Sequence, residues 1–129
     1  MYNFKKFEKT NQRVESRITV SASNSIGFPT KFFQDNNISE YKYVVLYYDE
    51  NEKAVGIFFT NDEEEKHKFT LVKSKIGYGA SVVATSFFKV NGIDAKFYRN
   101  RYEWEKVAQE GIGDLFVIKL QPHLQEAQV

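Results

Sequence analysis

Residues 41–60 constrain the fold more than any other stretch. Tyr41 to Tyr48 is rich in β-branched and aromatic residues and apolar on both faces. Asp49-Glu50-Asn51-Glu52-Lys53 reads as a hairpin turn, and Ala54 to Thr60 as the return strand. A strand that is apolar on both faces must be covered on both sides. A barrel or a tightly wrapped sheet provides that cover, whereas an exposed single sheet does not.

The flanking sequence supplies further elements. Residues 13–20 alternate, with Val14, Ser16, Ile18 and Val20 on one side and Arg13, Glu15, Arg17 and Thr19 on the other. That pattern predicts a strand with one wet face. Ser21 to Gly27 reads as a turn. Pro29 suits a first helical position, Phe28, Phe32 and Phe33 form an apolar stripe, and Asn36-Asn37 ends the helix. Further along, 67–74 reads as a strand, Gly77-Tyr78-Gly79 as a loop, 84–90 as a second short helix and 114–120 as a final strand. Residues 96–106 fit neither the helical nor the strand period.

A shift of 55 residues lays 30–38 over 85–93 with five identities: Thr30/Thr85, Phe32/Phe87, Phe33/Phe88, Asn36/Asn91 and Ile38/Ile93. The context of the two copies is shared as well. Each follows a strand and a glycine-containing loop, and each precedes a strand, a turn and a return strand. The expected fold is α+β and β-rich, a small barrel built from two related β-α-β-β units in one chain. Residues 1–129 are expected to form a single domain with related halves at 13–60 and 67–120.

Composition narrows the function classes. The chain has 129 residues, 42% of them hydrophobic and 21 aromatic (12 Phe, 8 Tyr and 1 Trp), which excludes a disordered or low-complexity protein. Zero Cys excludes a disulfide scaffold, a thiol nucleophile and Cys-ligated metal sites. The first nine residues contain no apolar signal-peptide core, and no apolar run is long enough for a membrane span, so a cytoplasmic protein without membrane attachment is expected.

The net charge is +1, but its distribution is uneven. Residues 49–65 hold seven acids and one base; residues 67–101 hold seven bases and a single acid, Asp94. Bases sharing a face would meet phosphates.

Catalytic motifs are sparse. His67 and His123 are the only histidines, so no H-E-x-x-H spacing exists, and no G-x-S-x-G elbow is present. The (D/E)-x-K step of metal nucleases occurs at Glu40/Lys42, Glu64/Lys66 and Asp94/Lys96, as chance allows in a chain that is 27% charged. The acidic run Asp62 to Glu65 lacks the glycine-centred frame of a calcium loop and reads as a solvated turn. A binding protein, not an enzyme, is the expectation.

The stretch Ile18-Thr-Val-Ser-Ala-Ser-Asn-Ser-Ile-Gly-Phe-Pro29, followed by Phe32, Phe33, Ile38, Val44-Val-Leu46, Asp49 and Ile57, resembles the AbrB/SpoVT family of swapped-hairpin regulators. In the MraZ-like members both units lie in one chain, which would suit the 55-residue offset. The resemblance implies an interlocked barrel and DNA binding through basic residues of the first strand and its following loop. The matching stretch offers Arg13, Arg17 and Lys31.

Two binding readings follow. The first is a DNA-binding or regulatory module that meets double-stranded DNA through Arg13, Arg17, Lys31, Lys73, Lys75, Arg99 and Arg101, without a cofactor. The second is a protein for haem or another planar ligand, with His67 opening a strand beside an aromatic pocket and Tyr78 as a further ligand. A purely structural or oligomerising role is a third. A homo-oligomer, such as a dimer, is expected, and Trp104 reads as an anchor either in the core or at a dimer contact.

Overall fold

The computed structural model describes residues 1–8, 10, 14–75 and 79–123. The chain enters with β1 (Ile18–Ser21) and β2 (Ser25–Pro29), then the one-and-a-half-turn helix α1 (Thr30–Asp35) and a 3₁₀ turn at Ile38–Glu40. The hairpin β3 (Tyr43–Asp49) and β4 (Ala54–Thr60) follows, then the two-residue strands β5 (Phe69–Thr70) and β6 (Val72–Lys73). The remainder is β7 (Gly79–Val83), α2 (Thr85–Val90), α3 (Ala95–Tyr98), β8 (Asn100–Tyr102), β9 (Glu105–Gln109) and β10 (Gly113–Lys119).

The described strands form two antiparallel five-stranded sheets. Sheet A has the order β6-β7-β2-β1-β8 and sheet B the order β5-β3-β4-β10-β9. The architecture is α+β and β-rich. The expected small barrel is not closed, and the reason lies at two corners. Between β5 and β6 the chain passes from sheet B to sheet A at Leu71, and between β8 and β9 it passes from sheet A to sheet B at Glu103 and Trp104. The ladders stop at these corners.

The core fills the space between the sheets. Period-2 alternation turns Ile18 and Val20 of β1, Ile26 and Phe28 of β2 and Val82 of β7 inward from sheet A. Val44, Val55, Ile57, Phe59, Phe116 and Ile118 of sheet B belong to the same buried cluster. The two short helices add Phe32, Phe33, Phe87 and Phe88. Both helices end in the same way: Asn36 Nδ2 donates to the Phe32 carbonyl at 3.0 Å and Asn91 Nδ2 to the Phe87 carbonyl at 2.9 Å. Each carbonyl also accepts the backbone N–H of the same asparagine, at 3.1 and 3.2 Å, so one residue closes the helix end with two bonds.

The apolar outer faces of β3 and β4 are covered by their own sheet. Val45 faces Phe58 across the ladder, and Leu115 lies over Gly56, where a Cβ would come within 3.0 Å of Leu115 Cδ1. Gly79 is equally constrained: its φ is +120°, and a Cβ there would sit 2.4 Å from the Phe28 carbonyl oxygen.

Several boundaries differ from expectation. Pro29 ends β2 and precedes α1 instead of occupying its first turn. Residues 22–24 alone make the turn after β1. The strand expected over 67–74 is two short pieces, and His67 lies in the turn before them. Residues 96–106 are ambiguous in period because they contain helix α3, strand β8 and the start of β9. Among the described residues no helix is long and apolar enough to cross a membrane.

Phe32 has no exposed surface, whereas Val90 is 84% exposed at the end of α2. Phe32→Ala is expected to lower unfolding free energy by about 3–5 kcal/mol. Val90→Ala is expected to change it by less than about 0.5 kcal/mol. Urea denaturation followed by tryptophan fluorescence measures both; a loss below about 1 kcal/mol for Phe32→Ala would deny the ring its place in the core.

Candidate nucleic-acid interface

The outer face of sheet A is built from short side chains. Alternation sends Thr19 and Ser21 of β1 away from the core, opposite Ile18 and Val20. The registers then extend one row across all five strands: Arg101, Thr19, Gly27, Ser81 and Val72. Directly opposed residues share a face of the sheet, so this row is a shallow strip of hydroxyls and a glycine with an arginine at one end and the exposed Val72 at the other.

Two adjoining concavities lie along the strip and share Thr19. One, of about 400 Å³, runs over Gly27, Pro29, Lys73, Ser74 and Ser81. The other, of about 500 Å³, lies over the β1–β8 seam and is edged by Arg17, Ser21, Arg99, Asn100, Arg101 and His123. Among the described residues no acidic one lines either concavity.

The arginines are positioned by local structure. Asp94 caps α3, its Oδ1 accepting from the backbone N–H of Lys96 at 3.0 Å and of Phe97 at 3.4 Å. Arg99 follows that helix and bonds the Lys96 carbonyl through Nη1. His123 is brought against it from the far end of the chain: its backbone N–H donates to the Phe97 carbonyl at 2.8 Å, and its Nδ1 lies 3.1 Å from the Arg99 carbonyl oxygen. Trp104 Nε1 donates to the Ser16 carbonyl at 2.8 Å and so holds the segment that leads Arg17 into β1.

Glu15 stands beside this group. Its Oε2 accepts from Arg17 Nε at 2.9 Å and from the Arg17 backbone N–H at 2.9 Å, while Oε1 accepts from Arg17 Nη2 at 2.8 Å. Arg101 Nη1 is 3.7 Å from the same Oε1. The hydrogen bonds from the Arg17 side chain and backbone, with the charge of both arginines, push the Glu15 carboxyl down to about 2. The same contact raises Arg17 above its ordinary value.

The sequence-derived bases separate into groups. Arg17, Arg99 and Arg101 come together at one concavity, and Lys73 lies at the other, its Nζ donating to the Ser39 carbonyl at 2.8 Å. Lys31 lies in neither; it sits on α1 in an ion pair with Asp35 at 3.0 Å. Lys75 is exposed beyond β6 and also lines neither. Arg13 lies outside the described residues. Thr19, Ser21, Asn100, His123 and Glu15 escaped sequence reasoning as members of this site. The hydroxyls have a legible signal, the small polar positions alternating with Ile18 and Val20, but His123 has none.

Of the two haem-directed residues the structure describes one. His67 is exposed in a turn, lines none of the concavities described above and donates its backbone N–H to Glu65 Oε2 at 3.0 Å. Tyr78 lies outside the described residues. Phe28, Phe32, Phe59, Phe116 and Trp104 pack on one another, with centroid separations from 5.0 to 6.2 Å. Phe59 and Phe116, with Tyr41 and Phe58, also line a concavity of about 390 Å³ that His67 does not border. The acidic turn after β4 is closed by its own neighbours: Tyr43 Oη donates to Glu63 Oε1 at 2.7 Å, and Lys68 Nζ donates to the carbonyls of Glu63 and Glu65.

Compared with known proteins, the chain matches no family model, no curated protein and no solved structure.

The Glu15–Arg17 pair carries a pH signature. The Glu15 carboxyl sits below its ordinary 4.5 in the folded chain, so its contribution to stability is complete above about pH 4.5 and is lost as pH falls through about 2. A carbon-detected NMR titration of the Glu15 carboxyl is expected to show a midpoint near 2; a midpoint at the ordinary value would mean that the pair does not persist in solution.

Proposed function

We propose that this chain is a non-enzymatic, regulatory DNA-binding module that takes the phosphate backbone of a duplex on the outer face of sheet A. The convergence of Arg17, Arg99 and Arg101 on one concavity, with Glu15 as the neighbouring acid and a strip of short hydroxyl side chains beside it, carries the reading. Guanidinium forks match phosphate oxygens in pairs, and threonine, serine and asparagine donate to phosphates as well. Short side chains let the sugar–phosphate chain approach the sheet closely, which a face of long side chains would prevent.

The proposal extends to architecture. Two related β-α-β-β halves, as in the tandem swapped-hairpin regulators, account for three features together. Asn36 and Asn91, aligned by the 55-residue offset, make the same side-chain bond to the carbonyl four residues back. Strand β2, before α1, pairs with β7, before α2. The return strands β4 and β10 pair with each other at the centre of sheet B. In this reading the two seams are the contacts between the halves, and the corners at Leu71 and Trp104 are where a barrel-like wrap turns.

The test is fluorescence anisotropy of a labelled random duplex at about 50 and about 200 mM salt. Two to three phosphate contacts imply weakening of roughly ten- to forty-fold across that range. Arg99→Ala is expected to flatten the logarithmic salt slope by about 0.9 and weaken binding to all duplexes alike. Lys31→Ala, away from both concavities, is expected to change neither. Absence of binding at the lower salt, or a slope unmoved by Arg99→Ala, would sink the proposal.

A further inference from the structure

One group at this interface has the wrong sign for a phosphate-binding surface. Glu15 places both carboxylate oxygens on the Arg17 guanidinium, at 2.9 Å from Nε and 2.8 Å from Nη2, and presents Oε1 to Arg101 from 3.7 Å. Arg17 directly precedes β1 and Arg101 lies on β8, the strand paired with β1, and both edge the same concavity. Two oxygens of one anionic group on the side of one guanidinium, with a second guanidinium beyond, is also how a phosphodiester engages an arginine pair. The side chains remain between 38% and 64% exposed, so the exchange of one anion for another needs no opening of the core.

We propose that Glu15 is an internal stand-in for a backbone phosphate: it holds Arg17 in binding geometry while the surface is empty and must be displaced from the arginine pair when nucleic acid binds. The inference rests on the nucleic-acid reading above and deepens it. The carboxylate keeps Arg17 ordered between encounters, so a phosphate meets a preformed fork. It also cancels one of the positive charges that would otherwise draw any polyanion. Weak contacts with arbitrary polyanions are therefore discouraged, and a ligand that engages the whole strip gains enough elsewhere to replace it.

Glu103 supplies the comparison. Its negative charge also acts on Arg17, but through space, while Glu15 holds Arg17 by hydrogen bonds as well as charge. Glu15→Gln and Glu103→Gln remove the same formal charge from the same end of sheet A, and only the first removes an anion from the arginine fork.

The experiment titrates the full chain, Glu15→Gln, Glu15→Ala and Glu103→Gln against the same labelled duplex at several salt concentrations, with circular dichroism to verify folding. Glu15 lies ahead of β1 on exposed chain, so the variants are expected to fold. Both Glu15 variants are expected to bind about five-fold tighter near 100 mM salt, because no carboxylate has to leave the arginine pair first, with a salt slope like the parent's, since Arg17 meets a phosphate in both. Glu103→Gln is expected to give less than half of that gain and no change of slope. Equal affinity for the Glu15 variants and the parent, or equal gains for Glu15→Gln and Glu103→Gln, would overturn the stand-in while leaving nucleic-acid binding intact. Absence of duplex binding by every protein at about 50 mM salt would instead overturn the nucleic-acid reading itself, and the stand-in with it.

Discussion

One ring ties the two sheets together. Phe32 of α1 packs against Phe28 of sheet A at 5.5 Å and against Phe59 and Phe116 of sheet B at 6.2 and 5.0 Å. Its edge-on contact with Trp104 at 5.1 Å carries the cluster to the corner between β8 and β9. Mixed stacked and perpendicular contacts of this kind are favourable beyond the area they bury. They also fix orientation, because Trp104 must direct its indole N–H to a partner, and that partner is the Ser16 carbonyl at 2.8 Å. Ser16 is the residue between Glu15 and Arg17. The aromatic core thus sets the position of the charged pair at the surface through a single tryptophan.

The same route explains why site and fold were unequally legible in the sequence. The β3–β4 hairpin, both six-residue helices and the last strand follow from local pattern and appear close to their expected bounds. β7 was not seen because Ala80-Ser81-Val82-Val83 is too short for period to speak and begins at a glycine whose positive φ no pattern announces. Residues 96–106 failed for the opposite reason: three elements share eleven positions, so no period survives averaging. Asp94 carried a usable signal there, a helix cap two residues ahead of Lys96.

Arg17, Arg99 and Arg101 could be picked out as bases, but no local rule brings residue 17 to residue 101. That juxtaposition is created by the pairing of Ile18 with Tyr102, whose buried side chains belong to the core. Long-range register, set by hydrophobic burial, determines which charges become neighbours. Lys31 shows the converse. Its position in the chain suits the resemblance, yet helical spacing commits it to Asp35 four residues on. A base chosen by sequence position and a base available to a ligand are different things, and the difference is decided by what stands three or four residues away.

The two outer faces of the molecule illustrate how a sheet can be left open without being sticky. Sheet B covers its outer apolar positions with its own neighbours, Leu115 over Gly56 and Val45 beside Phe58. Sheet A makes most of its outer positions small and polar, at Thr19, Ser21, Ser25, Gly27 and Ser81, leaves only Val72 and Val83 as exposed apolar ones among its described strands, and gathers charge at the β8 end. The second arrangement offers hydroxyl donors and a group of arginines to something arriving from solvent. A net charge of +1 conceals it, because the count of the whole chain includes the acidic turn after β4, which is tied to Tyr43 and Lys68 on sheet B. What matters to an approaching polyanion is the local field within about one Debye length, roughly 8–10 Å at ordinary salt. There the balance lies between three arginines, Glu15 bonded to Arg17 and Glu103 acting on Arg17 through space, so one or two carboxylates have more influence on that face than the composition of the rest of the chain.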